Sequence, residues 1–256
     1  MSSVPSQPVK APPLGSKLRV VSWNLLRRIG ANVHDIAKLV RNYHPDLVLL
    51  QEATEDVAAL PSLVGGHFFR HPMHERIYGL AAWSPHPFPP STVLRLPFSV
   101  LPGRVPPRVA QIVKFHGISF ANVHLSHGQF LNRWQLLHLA NALEGPAAII
   151  GDFNAVGPIR LEGFKDIGPR RRTHRSGNII PLRLDRCMAR ALRSAATEVL
   201  DKGASDHHPI VLDLTVVPQL AQQPAGVVAA LQSALSSRFS NHDAPAIPAR
   251  KRARPA

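Results

Sequence analysis

A chain of 256 residues holding one cysteine, Cys187, cannot close an intrachain disulfide or build a zinc site from thiolates. Such usage fits a reducing, cytoplasmic compartment, and that is the expected location. Long hydrophobic runs are also missing. None approaches the roughly 20 apolar residues of a transmembrane helix, so no membrane-spanning segment is expected. The opening MSSVPSQPVKAPPLGSK lacks the apolar stretch of a secretory signal. Aromatic residues amount to 6%, so stacking on unpaired bases is not evident. Acids are scarce: 16 Asp and Glu face 30 Lys and Arg, a formal charge of +14. The two ends carry +2 and +4, which leaves +8 on the body of the chain. A basic body fits phosphate-rich partners such as nucleic acid, or an anionic phospholipid surface, and biased base composition gives the same charge with no partner at all.

What is present suits one large domain with ragged ends, because 45% of the residues are hydrophobic. Residues 1–17 are rich in Ser, Pro and Lys without periodicity and read as a disordered N-terminal segment. Residues 217–256 are rich in Ala, Gln and Pro, end in basic residues, and read as a low-complexity disordered tail with a weak helix at 226–235. Between them, LRVVSWN, PDLVLLQE, YGLAAWS, PAAIIGDFN, PLRLDRCMAR and HPIVLDLTV read as strands. VAQIVKF and ISFANVHL pair as a hairpin across His116 and Gly117. Val33, Ile36, Ala37, Val40 and Tyr43 form a helical stripe, as do Leu136, Leu139, Ala140 and Leu143, with Gly145 as a stop. EDVAALPSLV reads as a short helix broken at Pro61. Local hairpins favour a sheet-on-sheet core with helices outside over a doubly wound parallel sheet. A monomer is expected.

Several apolar strands end in the same way. VVSWN ends on Asn24, LVLLQE on Glu52, and FANVHL carries His124. AIIGDFN ends on Asp152 and Asn154, LRLD reaches Asp185, and Asp206 and His207 precede the last strand. Each residue alone also fits a plain role. Asn24 fits a turn or cap, Glu52 a helix cap, His124 a core histidine, Asp152 and Asn154 a turn, and Asp185 a surface pair with Arg183 or Arg186. If the rims converge, one site holds carboxylates, carboxamides and imidazoles but no thiol. Such a donor set suits a hard divalent cation, Mg²⁺ or Mn²⁺, and metal-assisted hydrolysis of a phosphoester.

The ordered set SWNL, LVLLQEA, NVHLSHG, IIGDFNAV, LRLDR and SDHHPI resembles the endonuclease/exonuclease/phosphatase superfamily with its DNase I-like fold, over Leu18 to Val216. The resemblance implies a four-layered α/β sandwich, two packed mixed β-sheets flanked by helices, over residues 18–216. It implies Glu52 as principal metal ligand with Asn24 and Asp206 beside it. Asp152 would activate water, Asn154 would contact the scissile phosphate, and His207, oriented by Asp185, would face it. His124 looks like the family's second active-site histidine, while His208 falls at a variable position. Arg133 and Gln135 read as supporting residues, and Asp213 as structural. The basic loop PRRRTHRSG is close in sequence to Asp185, and its Arg171, Arg172 and Arg175 fit either a solvated loop or phosphate-backbone contacts. Arg186 replaces an aromatic or His common after this Asp. The expected function is a divalent-metal-dependent phosphodiesterase, most simply a nuclease acting on DNA. The alternatives are a sphingomyelin or phospholipid phosphodiesterase, an inositol-phosphate phosphatase, and a non-catalytic basic nucleic-acid-binding protein.

Overall fold

The computed structural model describes residues 17–97, 107–176 and 180–217. The expected N-terminal segment and tail, with the helix at 226–235, lie outside these residues apart from Lys17 and Val217. In chain order the elements are β1 (Leu18–Asn24), α1 (Val33–Tyr43), β2 (Leu47–Ala53), α2 (Leu60–Val64), β3 (His67–Pro72), β4 (Gly79–Ser84), β5 (Thr92–Arg95), β6 (Val109–Phe115), β7 (Ile118–His124), α3 (Gln129–Ala142) and β8 (Ala147–Asp152). Then follow β9 (Lys165–Asp166), β10 (His174–Ser176), β11 (Ile180–Leu182), β12 (Asp185–Arg190), β13 (Leu192–Val199) and β14 (Ile210–Val216).

Two six-stranded mixed sheets form, ordered β13-β14-β1-β2-β4-β3 and β5-β6-β7-β8-β12-β9. Each has one parallel pair, β1 with β2 and β7 with β8. α1 and α3 are the crossovers within those pairs. Strand alternation then sorts the apolar side chains into three layers. Val20, Leu49, Phe120 and Ile150 meet between the sheets. Val21 and Leu50 face Ile36 and Val40 of α1. Val123 and Ile149 face Leu136 and Leu139 of α3. The result is the four-layered α/β sandwich of the DNase I-like fold.

Local chemistry supports each element. Asn32 caps α1, accepting from the backbone N–H groups of His34 and Asp35, while Asp35 accepts from that of Asn32. The β6–β7 hairpin turns on His116 and Gly117, at φ 50° and 74°, as a two-residue hairpin turn requires. Asp213 is structural, pairing with Lys17 at 2.7 Å and Arg19 at 2.9 Å. The layer between the sheets also carries a polar thread. Buried Asn122 accepts from Gln51 Nε2 at 2.7 Å and donates to Gln111 Oε1 at 3.0 Å. Gln111 in turn donates to Ser91 Oγ at 2.9 Å. Directional bonds of this kind fix the register of one sheet on the other directly beneath the strand ends.

Four expectations change. EDVAALPSLV is a 3-10 stretch, Glu55–Ala59, that gives way to α2, and Pro61 sits in the first turn of α2, where the N–H it lacks has no helical partner. α3 ends at Ala142, and Leu143 is an extended cap. PLRLDRCMAR is two strands, β11 and β12, because Thr173 Oγ1 takes the N–H groups of Leu184 and Asp185. β13 carried no sequence signal: it is an edge strand, mostly exposed on both faces, with a bulge between Ser194 and Ala196.

Asp166 on β9 anchors the basic segment beside the site. Arg183 binds it through two bonds of 2.7 Å, and Arg170 and Arg186 lie at 3.4 and 3.6 Å. Burial works against its ionisation, but the Arg183 hydrogen bonds and the surrounding guanidinium charge outweigh that and hold its carboxyl below the usual range. A depressed folded pKa stabilises the protein above the unfolded carboxylate value, and the gain is lost as pH falls through the folded value. Asp166→Asn should therefore lose about 1.5–3 kcal/mol near neutrality, as for the loss of hydrogen bonds between charged, half-buried groups. In urea unfolding the gap to wild type should shrink once pH drops below the ordinary carboxylate range. A gap that stays constant with pH would contradict the assignment.

Candidate active site

Topology alone gathers the polar strand ends. β1, β2, β7 and β8 all finish at one edge of the sandwich, and their antiparallel neighbours β12 and β14 start there. His124, Asp152 and Asp185 are register partners across β7, β8 and β12. Gly151 makes this row possible. At φ 138° it brings β8 so close to β7 that a Cβ would lie 2.2 Å from the Val123 carbonyl oxygen.

Asp152 is the hub. Its Oδ1 accepts from the Asn154 N–H at 2.9 Å and its Oδ2 from Asn24 Nδ2 at 3.1 Å. The same Oδ2 faces His124 Nε2 at 3.6 Å and His207 Nε2 at 3.7 Å. His207 Nδ1 is bound to Asp185 Oδ2 at 2.8 Å, and Asp185 is fully buried. Thus Asp185 does not pair with Arg183 or Arg186, which turn to Asp166 instead. Glu52 lies 3.8 Å from His124 Nδ1 and 3.9 Å from Arg27 Nε. Asp206 lies 4.0 Å from His207 Nε2.

Two of these residues are backbone outliers. Glu52 has φ 54°, in the register shift of β2 against β4, and Asn154 has φ 47°. A left-handed conformation costs a non-glycine residue about 1–2 kcal/mol, which is stored here where the chain turns side chains into the site. Asn154 also donates Nδ2 to the Leu125 carbonyl at 3.0 Å, so its amide points inward and braces the Asp152 loop.

The electrostatics separate the two histidines. Burial lowers His124 to about 3, so it is neutral at ordinary pH, with Arg108 acting in the same direction. Burial also works against charge on His207, but Asp185 and Asp152 outweigh it and raise it to about 10. Glu52 is pushed up by burial; Arg27 opposes this and Asp152 adds to it.

A family model of the Endonuclease/Exonuclease/phosphatase family matches residues 21–207. The chain belongs to that family. No curated protein matches it at a significant level. Among solved structures, the endonuclease/exonuclease/phosphatase of Bacteroides vulgatus shares 17% identity, with 78% of this chain and 99% of that one covered and a TM-score of 0.64. A humanized D. rerio TDP2 shares 19% identity, covering 78% and 99% of the two chains, at a TM-score of 0.61. The endonuclease/exonuclease/phosphatase of Beutenbergia cavernae shares 20% identity, covering 78% and 72%, also at 0.61. These likenesses establish the fold.

Members of the endonuclease/exonuclease/phosphatase family are mostly hydrolytic phosphoesterases and in general depend on a divalent metal. The residues present fit such an ion. Buried oxygens Glu52 Oε2 and Asp206 Oδ1 have no hydrogen-bond partner among the described residues. Buried carboxylate oxygens that accept no hydrogen bond, and face their nearest cationic groups only at 3.9 and 4.0 Å, leave room for a bound cation. Among the described residues, the one cluster of three His or acidic ligands within 4.8 Å of one another is His174, Asp206 and His207.

Sequence reasoning missed His174. Its Nε2 is 3.3 Å from Asp206, and its ring lies 4.4 Å from that of His207. It also missed Trp23, whose Nε1 donates to the His207 carbonyl, and Ser205, which ties the Asn24 carbonyl to the His207 N–H. Arg186, the departure from the family pattern, is buried and donates to the carbonyls of Ala155 and Gly157, so it holds the turn after Asn154. Arg133 braces the same turn at Val156 and Pro158, and buried Gln135 binds Ser126. Arg171 and Arg172 are exposed beside His174. The side chain of Arg175 lies outside the described residues. No described helix is long and apolar enough to cross a membrane.

Proposed function

We propose that the protein is a Mg²⁺- or Mn²⁺-dependent phosphodiesterase acting on DNA. The observation that carries this reading is the His207 clamp. Asp185 fixes Nδ1, which leaves a charged Nε2–H aimed at the space in front of Asp152. Glu52, Asn24 and Asp206 are the residues to hold the ion. When bound, a divalent cation offsets charge and polarises a phosphoryl oxygen.

The chain's own groups do the rest. Asp152 takes a proton from the attacking water, and its orientation is set by Asn24 and the Asn154 N–H. His207 gives a charged hydrogen bond to the phosphate, where negative charge develops as the water oxygen adds. His124, held neutral, offers a hydrogen bond without adding charge. Asn154 is a positioning residue for Asp152. One P–O bond forms to the water oxygen and one breaks; the leaving alkoxide takes the proton of His207 Nε2, and the proton held by Asp152 then restores it across the 3.7 Å between them. The net +8 on the body and the exposed Arg171 and Arg172 favour a polyanionic substrate.

One observation favours a lipid phosphodiester as the second reading. Phe130, Trp134 and Leu137 lie at helical spacing on α3 and are 87%, 59% and 52% exposed. An apolar stripe on a basic protein suits an anionic membrane surface. A panel of duplex, single-stranded and abasic DNA, RNA, sphingomyelin vesicles and an inositol phosphate, each with Mg²⁺ or Mn²⁺, separates the readings. DNA cleavage is the expected result. Turnover of vesicles with none of DNA would replace it by the second reading.

A further inference from the structure

A pocket of about 480 Å³ opens beside the catalytic centre, lined by Arg170, Arg171, Arg172, His174, Pro181 and His208. No acid lines it. Arg170 is partly engaged by Asp166 at 3.4 Å. Arg171 and Arg172 are exposed and have no hydrogen bond or ion pair among the described residues. Three guanidinium groups around one opening repel each other, and a bound anion relieves that repulsion.

The pocket shares its construction with the catalytic centre. His174 lines the pocket and also packs on His207, with ring centroids 4.4 Å apart. His208 follows His207 directly, and its backbone N–H donates to the Thr173 carbonyl at 2.7 Å. Thr173 in turn holds the backbone of Asp185 through its hydroxyl at 2.9 Å. The segment that positions the Asp185–His207 pair therefore also fixes the arginines relative to it.

Resting on the phosphodiesterase reading, we propose that this pocket is a second phosphate subsite, so that preferred substrates carry another phosphate close to the scissile one. Guanidinium forks bind phosphate oxygens in pairs, which gives such a subsite both affinity and geometry. A second phosphate is supplied by the neighbouring linkage of a polynucleotide or by a multiply phosphorylated inositol. A lipid with one phosphodiester and a neutral or cationic headgroup gains nothing from it.

Equilibrium calorimetry on the full chain tests this with two probe pairs. One pair is the nucleotide pTp, with a phosphate on each side of its sugar, against pT. The other is an inositol bisphosphate against an inositol monophosphate. At least one bisphosphate should bind about tenfold more tightly than its monophosphate, as expected for added charge-assisted guanidinium contacts. The advantage should vanish in R171A/R172A, and the pair that shows it identifies the source. Both side chains are exposed and unpaired among the described residues, so the double variant should keep the wild-type melting temperature. Equal affinities within both pairs, or an advantage that survives in the variant, would overturn the subsite. An intact bisphosphate preference in a protein that hydrolyses no diester would count against the phosphodiesterase reading alone.

Discussion

Replacing His207 by alanine should lower kcat/KM for diester cleavage about 10³-fold, within the range of a positioned acid or base. The effect is large because this imidazole meets three requirements at once. Its Nδ1 is fixed by Asp185 at 2.8 Å, its Nε2 faces Asp152, and the surrounding carboxylates keep it charged. The substitution has a second consequence. Asp185 is fully buried, and losing its cation leaves an uncompensated carboxylate. Stability should therefore fall by about 3–5 kcal/mol, as when one partner of a buried ion pair is removed. Pairing His207→Ala with Asp185→Asn removes that carboxylate charge. The double variant should recover most of the melting temperature and remain inactive. If it regained activity along with stability, His207 would be structural.

Glu52→Gln should separate metal binding from folding. In the wild type, metal at about 100-fold over its dissociation constant stabilises the fold by about 2.7 kcal/mol. For a domain of this size that is a rise of roughly 5–10 °C in melting temperature. Glu52→Gln should abolish most of the rise and most of the activity. Without metal it should melt no lower than wild type. Glu52 is largely buried, its Oε2 accepts no hydrogen bond among the described residues and has Arg27 Nε only at 3.9 Å, and burial already disfavours its charge. A neutral amide of the same shape is cheaper to keep there. A variant that responds to Mg²⁺ like wild type would remove Glu52 from the metal site.

These expectations rest on residues of unequal legibility in the sequence. Asp152 and Asn154 stood out because GDFN ends an apolar strand, and a strand end is a local property. His207 and Asp185 could be paired only through resemblance, since their partnership spans two sheets. Arg186 looked like a plain departure from a pattern. Its role depends on carbonyls of the 155–157 turn, which no periodicity encodes. His174 stayed silent for a similar reason. It opens the short strand β10 directly after an arginine-rich run, and only the bridge between His174 and His207 brings it to the site. β13 was missed because an exposed edge strand lacks the apolar alternation that marks a strand. The exposed stripe of Phe130, Trp134 and Leu137 on α3 was not read from the sequence, because the buried face, Leu136, Leu139 and Ala140, already accounts for the apolar periodicity of the helix.

The most direct test of the account is the rate of p-nitrophenol release from bis(p-nitrophenyl) phosphate against Mg²⁺ concentration, for wild type and Asp152→Asn. The account predicts saturable, metal-dependent turnover that a chelator abolishes, and a loss of about 10² or more in the variant, as befits removal of a general base. Turnover independent of metal, or a variant as fast as wild type, would contradict it.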